Sequence, residues 1–187
     1  GLGEELTPDV PIEQITLTFN PAYRYGGKLS EEEQWARFRQ DTMAELISYA
    51  IGCMMGRYSL DKPGLILANP GDTLREFLAK VGRSHDTLSF TLDEDGIIPV
   101  LDGEWFKDDI VARAHAFLRA TFGESTLEVN LGFIEESLGK DLRKYFLTDF
   151  YKDHLQTYKK RPIYWLFQSP KKGFSALVYL HRYTRDT

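Results

Sequence analysis

Apolar positions recur three and four residues apart along several stretches of the chain, and that spacing predicts helices. The clearest stretch follows Ser30-Glu31-Glu32-Glu33, a capping box in which the Ser30 hydroxyl takes the Glu33 amide while the Glu33 carboxylate returns to the Ser30 amide. From there Trp35, Phe38, Thr42, Met43, Leu46, Ile47, Ala50, Ile51 and Met54 fall on one helical face, and Gly56 is a natural stop. The expectation is a long first helix at the centre of the core, with Trp35, Phe38, Leu46, Ile47 and Ile51 on its buried face. A short second helix is expected from a cap at Asp72 or Thr73, through Leu74, Phe77, Leu78 and Val81, to Gly82. A third pattern runs from Asp108 through Ile110, Val111, Ala114, Phe117, Leu118 and Thr121 and closes at Gly123. A fourth is led by another capping box, Ser125-Thr126-Leu127-Glu128, and closes at Gly139. The stripe Leu142, Tyr145, Phe146, Phe150, His154, Leu155 and Tyr158 then predicts one helix that Pro162 must end.

Period-two patterns predict the strands. Ile15 to Phe19 reads as a short strand, with Tyr23 to Lys28 as a loop after it. Leu88 to Leu92 alternates, Asp93-Glu94-Asp95-Gly96 makes a turn, and Ile97 to Val100 returns beside it, limited to an edge by Pro99. The tail reads as a β-hairpin: Ile163 to Gln168, a turn at Ser169-Pro170-Lys171-Lys172-Gly173, and Phe174 to Tyr183 coming back. The fold class is therefore α+β, a mostly helical domain with a C-terminal β-hairpin and short additional strands. Residues 1–14, acidic and proline-containing, read as a linker, and residues 15–187 as one domain.

At 187 residues, 42% of them hydrophobic and 13% aromatic, the chain has enough apolar side chain for a real core. No stretch of about 18 apolar residues and no basic-then-apolar leader is present, so the expectation is a cytoplasmic protein with no membrane partner. The single cysteine, Cys53, excludes an internal disulfide and reads as a buried structural thiol, with a reactive thiol as the alternative. His85, His115, His154 and His181 are far apart and stand in no metal-binding spacing, so no metal ligands are expected. Asp93 to Glu104 would place apolar Ile97, Pro99 and Leu101 at calcium-ligand positions, which argues against a calcium loop.

Charge changes the picture more. The net charge is −5, but residues 1–138 hold 12 Lys+Arg against 24 Asp+Glu while residues 139–187 hold 11 against 4. Either the last quarter is a polyanion-binding surface, or the two parts pair their charges internally. On the first reading Lys159, Lys160 and Arg161 at the hairpin entrance, with Lys171 and Lys172 at its tip, contact DNA phosphates. Arg57, beside Tyr58 just after the Gly56 stop, is a second candidate DNA contact or a simple charge partner. Tyr164, Trp165 and Phe167 are either core or base-stacking rings; the expectation is lysines outside and most rings inside.

Phe19-Asn20-Pro21-Ala22-Tyr23 resembles the Asn-Pro-Pro-Tyr loop with which amino-methyltransferases hold a flipped base. Ala22 stands where that motif has proline, and no Gly-rich cofactor loop precedes it, so the segment reads as a strand ending at an Asn-Pro turn, with no catalytic and no cofactor-binding residues assigned.

Tyr158-Lys159-Lys160-Arg161-Pro162-Ile163-Tyr164-Trp165-Leu166-Phe167, Ser169-Pro170-Lys171-Lys172-Gly173-Phe174 and Leu177 to Tyr183 carry a more specific resemblance. Together with Ala50 to Asp61, Gly96 to Asp102, Glu104-Trp105-Phe106, Phe133 to Glu136 and Leu138-Gly139-Lys140, they resemble the PglX-type adenine-specific DNA methyltransferases of bacterial BREX phage-defence systems, relatives of the fused restriction-modification enzymes. The resemblance implies a site-specific enzyme that transfers methyl from S-adenosylmethionine to adenine N6 in double-stranded DNA, marking the host genome. It implies that this chain is an internal piece downstream of the catalytic domain. On that reading it is inactive alone and binds no S-adenosylmethionine, links the catalytic and target-recognition parts, and helps clamp DNA. The partners implied are double-stranded DNA, other domains of the same enzyme and other BREX proteins. The alternative is a protein-interaction module: the acidic first 138 residues dock on another domain or BREX component, and the basic tail only balances charge.

Overall fold

The computed structural model describes residues 17–171 and 173–184. Seven α-helices run through them: α1 (Pro21–Tyr25), α2 (Glu31–Met54), α3 (Leu74–Val81), α4 (Ile110–Phe122), α5 (Leu127–Leu138), α6 (Leu142–Thr148) and α7 (Phe150–Thr157). Three strands, β1 (Ile97–Pro99), β2 (Tyr164–Gln168) and β3 (Ser175–Tyr179), form one antiparallel sheet in the order β1-β3-β2. The α+β class, mostly helical with a C-terminal hairpin, is therefore correct. The contacts divide the chain into two compact units, Gly1–Thr42 and Met43–Thr187, with the boundary inside α2.

In the first unit the predicted strand at residues 15–19 is not formed where it is described: Leu17–Phe19 is a single 3-10 turn, and Ile15 and Thr16, like the linker at 1–14, lie outside the described residues. Asn20 then caps α1, its side-chain oxygen accepting the Tyr23 amide at 3.1 Å, and Pro21 occupies the first helical turn, where its missing N–H costs nothing. The Asn-Pro segment is thus a helix start, and the expected loop from Tyr23 begins three residues later, at Gly26. The Ser30 capping box forms as drawn, with Glu33 amide to Ser30 Oγ at 3.2 Å and Ser30 amide to Glu33 at 2.7 Å. Trp35 and Phe38 do not enter the core. Trp35 is 38% exposed and meets Phe38 edge-on with ring centroids 5.7 Å apart.

In the second unit the core gathers Ile47, Ile51, Met54 and Met55 from the C-terminal half of α2 with Leu67, Phe77, Ile98, Ile110, Phe117, Leu118, Leu177 and Tyr179. Leu46 is only half-buried. Gly56 ends this stretch at φ +78°, and a Cβ there would stand 2.6 Å from Leu92 Cδ1 and 3.0 Å from Leu67 Cδ1. Gly56→Ala is expected to cost about 2–3 kcal/mol, combining left-handed strain with overpacking. A chemical-denaturation curve unchanged by that substitution would disprove the account.

The helix expected from Asp108 forms from Ile110, capped by the Asp109 carboxylate on the amides of Val111 (3.0 Å) and Ala112 (3.3 Å). Three readings need correction. Leu88 to Leu92 is not a strand: Phe90 and Leu92 do point inward, but Ser89 is held by Asp61 through both amide (2.9 Å) and hydroxyl (2.7 Å). β1 pairs with β3 instead, keeping the edge position that Pro99 requires. The box at Ser125 to Glu128 is absent; a 3-10 turn at Glu124–Thr126 intervenes, and the Thr126 hydroxyl donates back to the Phe122 carbonyl at 2.8 Å. The stripe from Leu142 to Tyr158 belongs to two helices, broken at Asp149, whose carboxylate is engaged by Lys140, Lys152 and the Thr148 hydroxyl. Cys53 is buried, and burial pushes its thiol up to about 12.

Candidate nucleic-acid interface

The hairpin begins where α7 stops. Lys159 and Lys160 both adopt left-handed backbone, φ 51° and 63°, a conformation that side chains other than glycine's rarely take. Local hydrogen bonds hold the reversal: the Lys160 amide donates to the Leu155 carbonyl at 2.7 Å and the Arg161 amide to the Tyr158 carbonyl at 2.9 Å. Lys159, Lys160 and Arg161 are all exposed on this turn. Lys171 is exposed at the far end of β2, and Lys172 lies outside the described residues. Among the described residues none of these four cations has a carboxylate partner. From Lys159 to Thr184 the chain contains no Asp or Glu.

Four other cations of the tail are engaged within the fold. Arg143 closes a two-pronged pair with the fully buried Asp109, at 2.9 and 3.1 Å, and donates to the carbonyls of Leu101 and Gly103. Buried Arg182 donates to the Asp93 carbonyl at 2.6 Å and to that of Glu94. Lys140 and Lys152 hold Asp149. Carboxylates therefore pair with Lys140, Arg143 and Lys152, carbonyls hold Arg182, and the hairpin cations are left unneutralised.

Arg57 sits among hydroxyls. Its Nη1 donates to the Tyr179 hydroxyl at 3.4 Å, its guanidinium lies 5.6 Å from the Tyr58 ring centroid, and its buried Nε has no hydrogen-bond partner. The Tyr179 hydroxyl in turn donates to the Leu67 carbonyl at 2.5 Å and meets His181 Nδ1 at 3.1 Å. Burial works against the Arg57 charge, but the hydroxyls of Tyr179 and Tyr58 outweigh it and raise its pKa. Burial raises the Tyr158 hydroxyl, with nearby Arg57 pulling it down, and lowers His181, to which Arg57 adds. The fold thus brings Arg57 beside Tyr158, the residue that precedes Lys159.

Under the sheet, His154 anchors the first strand of the hairpin. Its Nε2 accepts the amides of Ile163 (3.2 Å) and Tyr164 (3.3 Å), so the proton sits on Nδ1. Burial, and then the charge of Arg57, lowers its pKa to about 4.

The aromatic residues correct the expectation that most rings lie inside. Tyr164 is buried, whereas Trp165 is 48% and Phe167 49% exposed, with Phe174 similarly open. Residues directly opposite across an antiparallel ladder share a face, which puts Trp165 with Val178 and Phe167 with Ala176. Both faces of β2 are apolar in sequence, so periodicity gave no parity. A cue was available in the absence of acids through the hairpin.

Elsewhere, an open cleft lined by Asp72, Arg75, Glu94, Asp95 and Arg182 carries both charge signs and favours no ligand class. The Asp93 carboxylate beside it accepts the amides of Asp95, Gly96 and Ile97 at 3.2, 2.7 and 3.1 Å, which makes it the organiser of a turn. Among the described residues no group of three or more His, Cys, Asp or Glu is arranged to hold a metal, and no helix is long and apolar enough to cross a membrane.

No family model matches the chain. It is 45% identical over 200 residues to the adenine-specific methyltransferase BrxX of Escherichia coli O9:H4 (strain HS), an alignment covering 100% of this chain and 16% of that protein. It is 39% identical over 193 residues to the adenine-specific methyltransferase PglX of Lacticaseibacillus casei (strain Zhang), covering 94% of this chain and 15% of that protein. The chain therefore spans about one sixth of the length of these relatives.

Proposed function

We propose that this chain, homologous along its whole length to a segment of the BREX adenine-specific methyltransferases, is a non-catalytic, DNA-holding part of such an enzyme. The whole protein, on this reading, is cytoplasmic and transfers methyl from S-adenosylmethionine to adenine N6 at specific sites, in phage defence and host-DNA marking. The segment itself is inactive and joins the catalytic part to the part that recognises the target, with residues 15–187 acting as one domain behind a linker. The observation that carries the reading is the set of exposed cations at the two ends of β2, Lys159, Lys160, Arg161 and Lys171, in a stretch without acids and without ion-pair partners among the described residues. Lys172 and Arg57 belong to the same proposal; Arg57 is held by neutral hydroxyls and keeps its charge available.

Replacing Lys159, Lys160, Arg161 and Lys171 by Gln is expected to weaken DNA binding of the full-length protein about equally for cognate and unrelated duplexes, because phosphate contacts carry no base information. The slope of log K against log salt should fall in magnitude by about 3–4, from four lost phosphate contacts. An unaltered slope would overturn the DNA-holding reading. A docking role toward another domain or BREX protein is the second reading, favoured by exposed Trp105 and Phe106.

A further inference from the structure

The outward face of the hairpin has a composition that phosphate clamping does not explain. Ile98, Leu177, Tyr164 and Tyr179 point from the sheet into the core. On the other face β3 contributes only the small Ala176 and Val178, and the edge strand β2 contributes Trp165 and Phe167. Those two rings stand 6.0 Å apart, centroid to centroid, inclined at 56°, and each is half open to solvent. Alternate residues on a strand are spaced at about twice its 3.3 Å rise, so this is the spacing of two neighbouring side chains displayed on one face. Exposed cations bracket the pair: Lys159, Lys160 and Arg161 before β2 and Lys171 after it.

A face built to receive another protein needs an apolar patch. It does not need cations at both ends of that patch, nor the removal of every acid from the surrounding 26 residues, 159–184. A polyanion with flat apolar faces needs both. Unpaired bases fit, because each has a π-face that stacks on a ring irrespective of sequence, while the connecting phosphates reach the flanking cations. A closed duplex offers phosphates but hides its base faces. We infer that Trp165 and Phe167 form a stacking platform for two unpaired bases of single-stranded DNA, with Lys159 to Arg161 and Lys171 holding the phosphates on either side. The inference rests on the DNA-holding reading and adds to it the class of nucleic acid, a locally opened strand.

The test uses the full-length protein, a thymidine oligonucleotide as single strand and a hairpin-closed duplex of equal length, with the double variant Trp165→Ala/Phe167→Ala. The parent should bind the oligonucleotide, and the variant should lose about tenfold to a hundredfold or more of that affinity. Duplex affinity and the salt slope should stay at parental values, because the rings neutralise no phosphate. The swapped variant Trp165→Phe/Phe167→Trp should restore single-strand binding, which a folding defect would not allow. Parental single-strand affinity in the Ala variant overturns the platform. A parent that binds duplex but not the oligonucleotide overturns it while leaving the clamp intact; a parent that binds neither overturns both. Loss of capture of another domain of the same enzyme, with nucleic-acid binding unchanged, assigns the face to protein instead and overturns the inference.

Discussion

Asp109→Ala is expected to lower the unfolding free energy by about 3–5 kcal/mol, because it leaves the Arg143 guanidinium without its carboxylate in a largely buried site. Asp109 is fully buried and serves two ends at once. Its carboxylate caps α4 through the Val111 and Ala112 amides, and it takes two hydrogen bonds from Arg143 on α6. Arg143 extends the network to the carbonyls of Leu101 and Gly103, just after β1, so one pair ties the sheet's exit to two helices. Loss of the cap alone costs about 1 kcal/mol. The excess over that figure measures the orphaned charge. Replacing Arg143 by Met in the Asp109→Ala background should therefore cost less than the two single changes together, since no unpaired charge then remains. Urea denaturation of the two single variants and the double variant gives the comparison, and strict additivity would show that the two groups are not coupled.

That pair also shows what was legible in the sequence. The one-sided apolar stripe Ile110, Val111, Ala114, Phe117, Leu118 and Thr121 is enough to place α4, because its spacing is local in sequence. The Asp109–Arg143 pair is not local, and charge totals for residues 1–138 and 139–187 could not reveal which cations it uses. The break at Asp149 has the same origin: the stripe from Leu142 to Tyr158 is continuous, and the interruption depends on Lys140 from outside the helix pair. At Leu88 to Leu92 alternation identified the inward residues, Phe90 and Leu92, yet Asp61, 28 positions away, takes the Ser89 amide. Trp35 and Phe38 keep the helical period of α2, but the buried residues of the helix all lie from Ile47 to Met54. For the candidate interface, the basic residues were evident from charge. The outward Trp165 and Phe167 were not, because Tyr164 and Leu166 are equally apolar. The choice of face depends on the register of Tyr164 with Tyr179, whose hydroxyl reaches the Leu67 carbonyl.

Below neutral pH the hairpin should loosen through His154. In the folded chain this imidazole titrates at about 4 against an ordinary value of 6.5, lowered first by burial and then by the Arg57 charge. The geometry agrees, since a proton on Nε2 would displace the amides of Ile163 and Tyr164. Between pH 6.5 and 4 the unfolded chain therefore binds a proton that the folded chain refuses. The stabilising contribution of the neutral ring is complete above pH 6.5 and is lost as pH falls toward 4, reaching about 3 kcal/mol at the lower limit. Asp93, raised to about 6 by burial and then by Asp95, changes stability in the opposite direction over part of the same range, so the parent curve alone does not isolate His154. His154→Gln does, because a Gln oxygen can accept the same two amides and takes up no proton in this range. The difference in unfolding free energy between parent and His154→Gln, measured by urea denaturation from pH 7 to pH 4, should move in favour of the variant by about 3 kcal/mol as pH falls. Amide exchange at Ile163 and Tyr164 should become faster in the parent over the same interval once intrinsic exchange is corrected for pH. A flat difference curve would mean that His154 is already solvated or protonated in the fold, and that the entrance to β2 is held by something other than its two amide contacts.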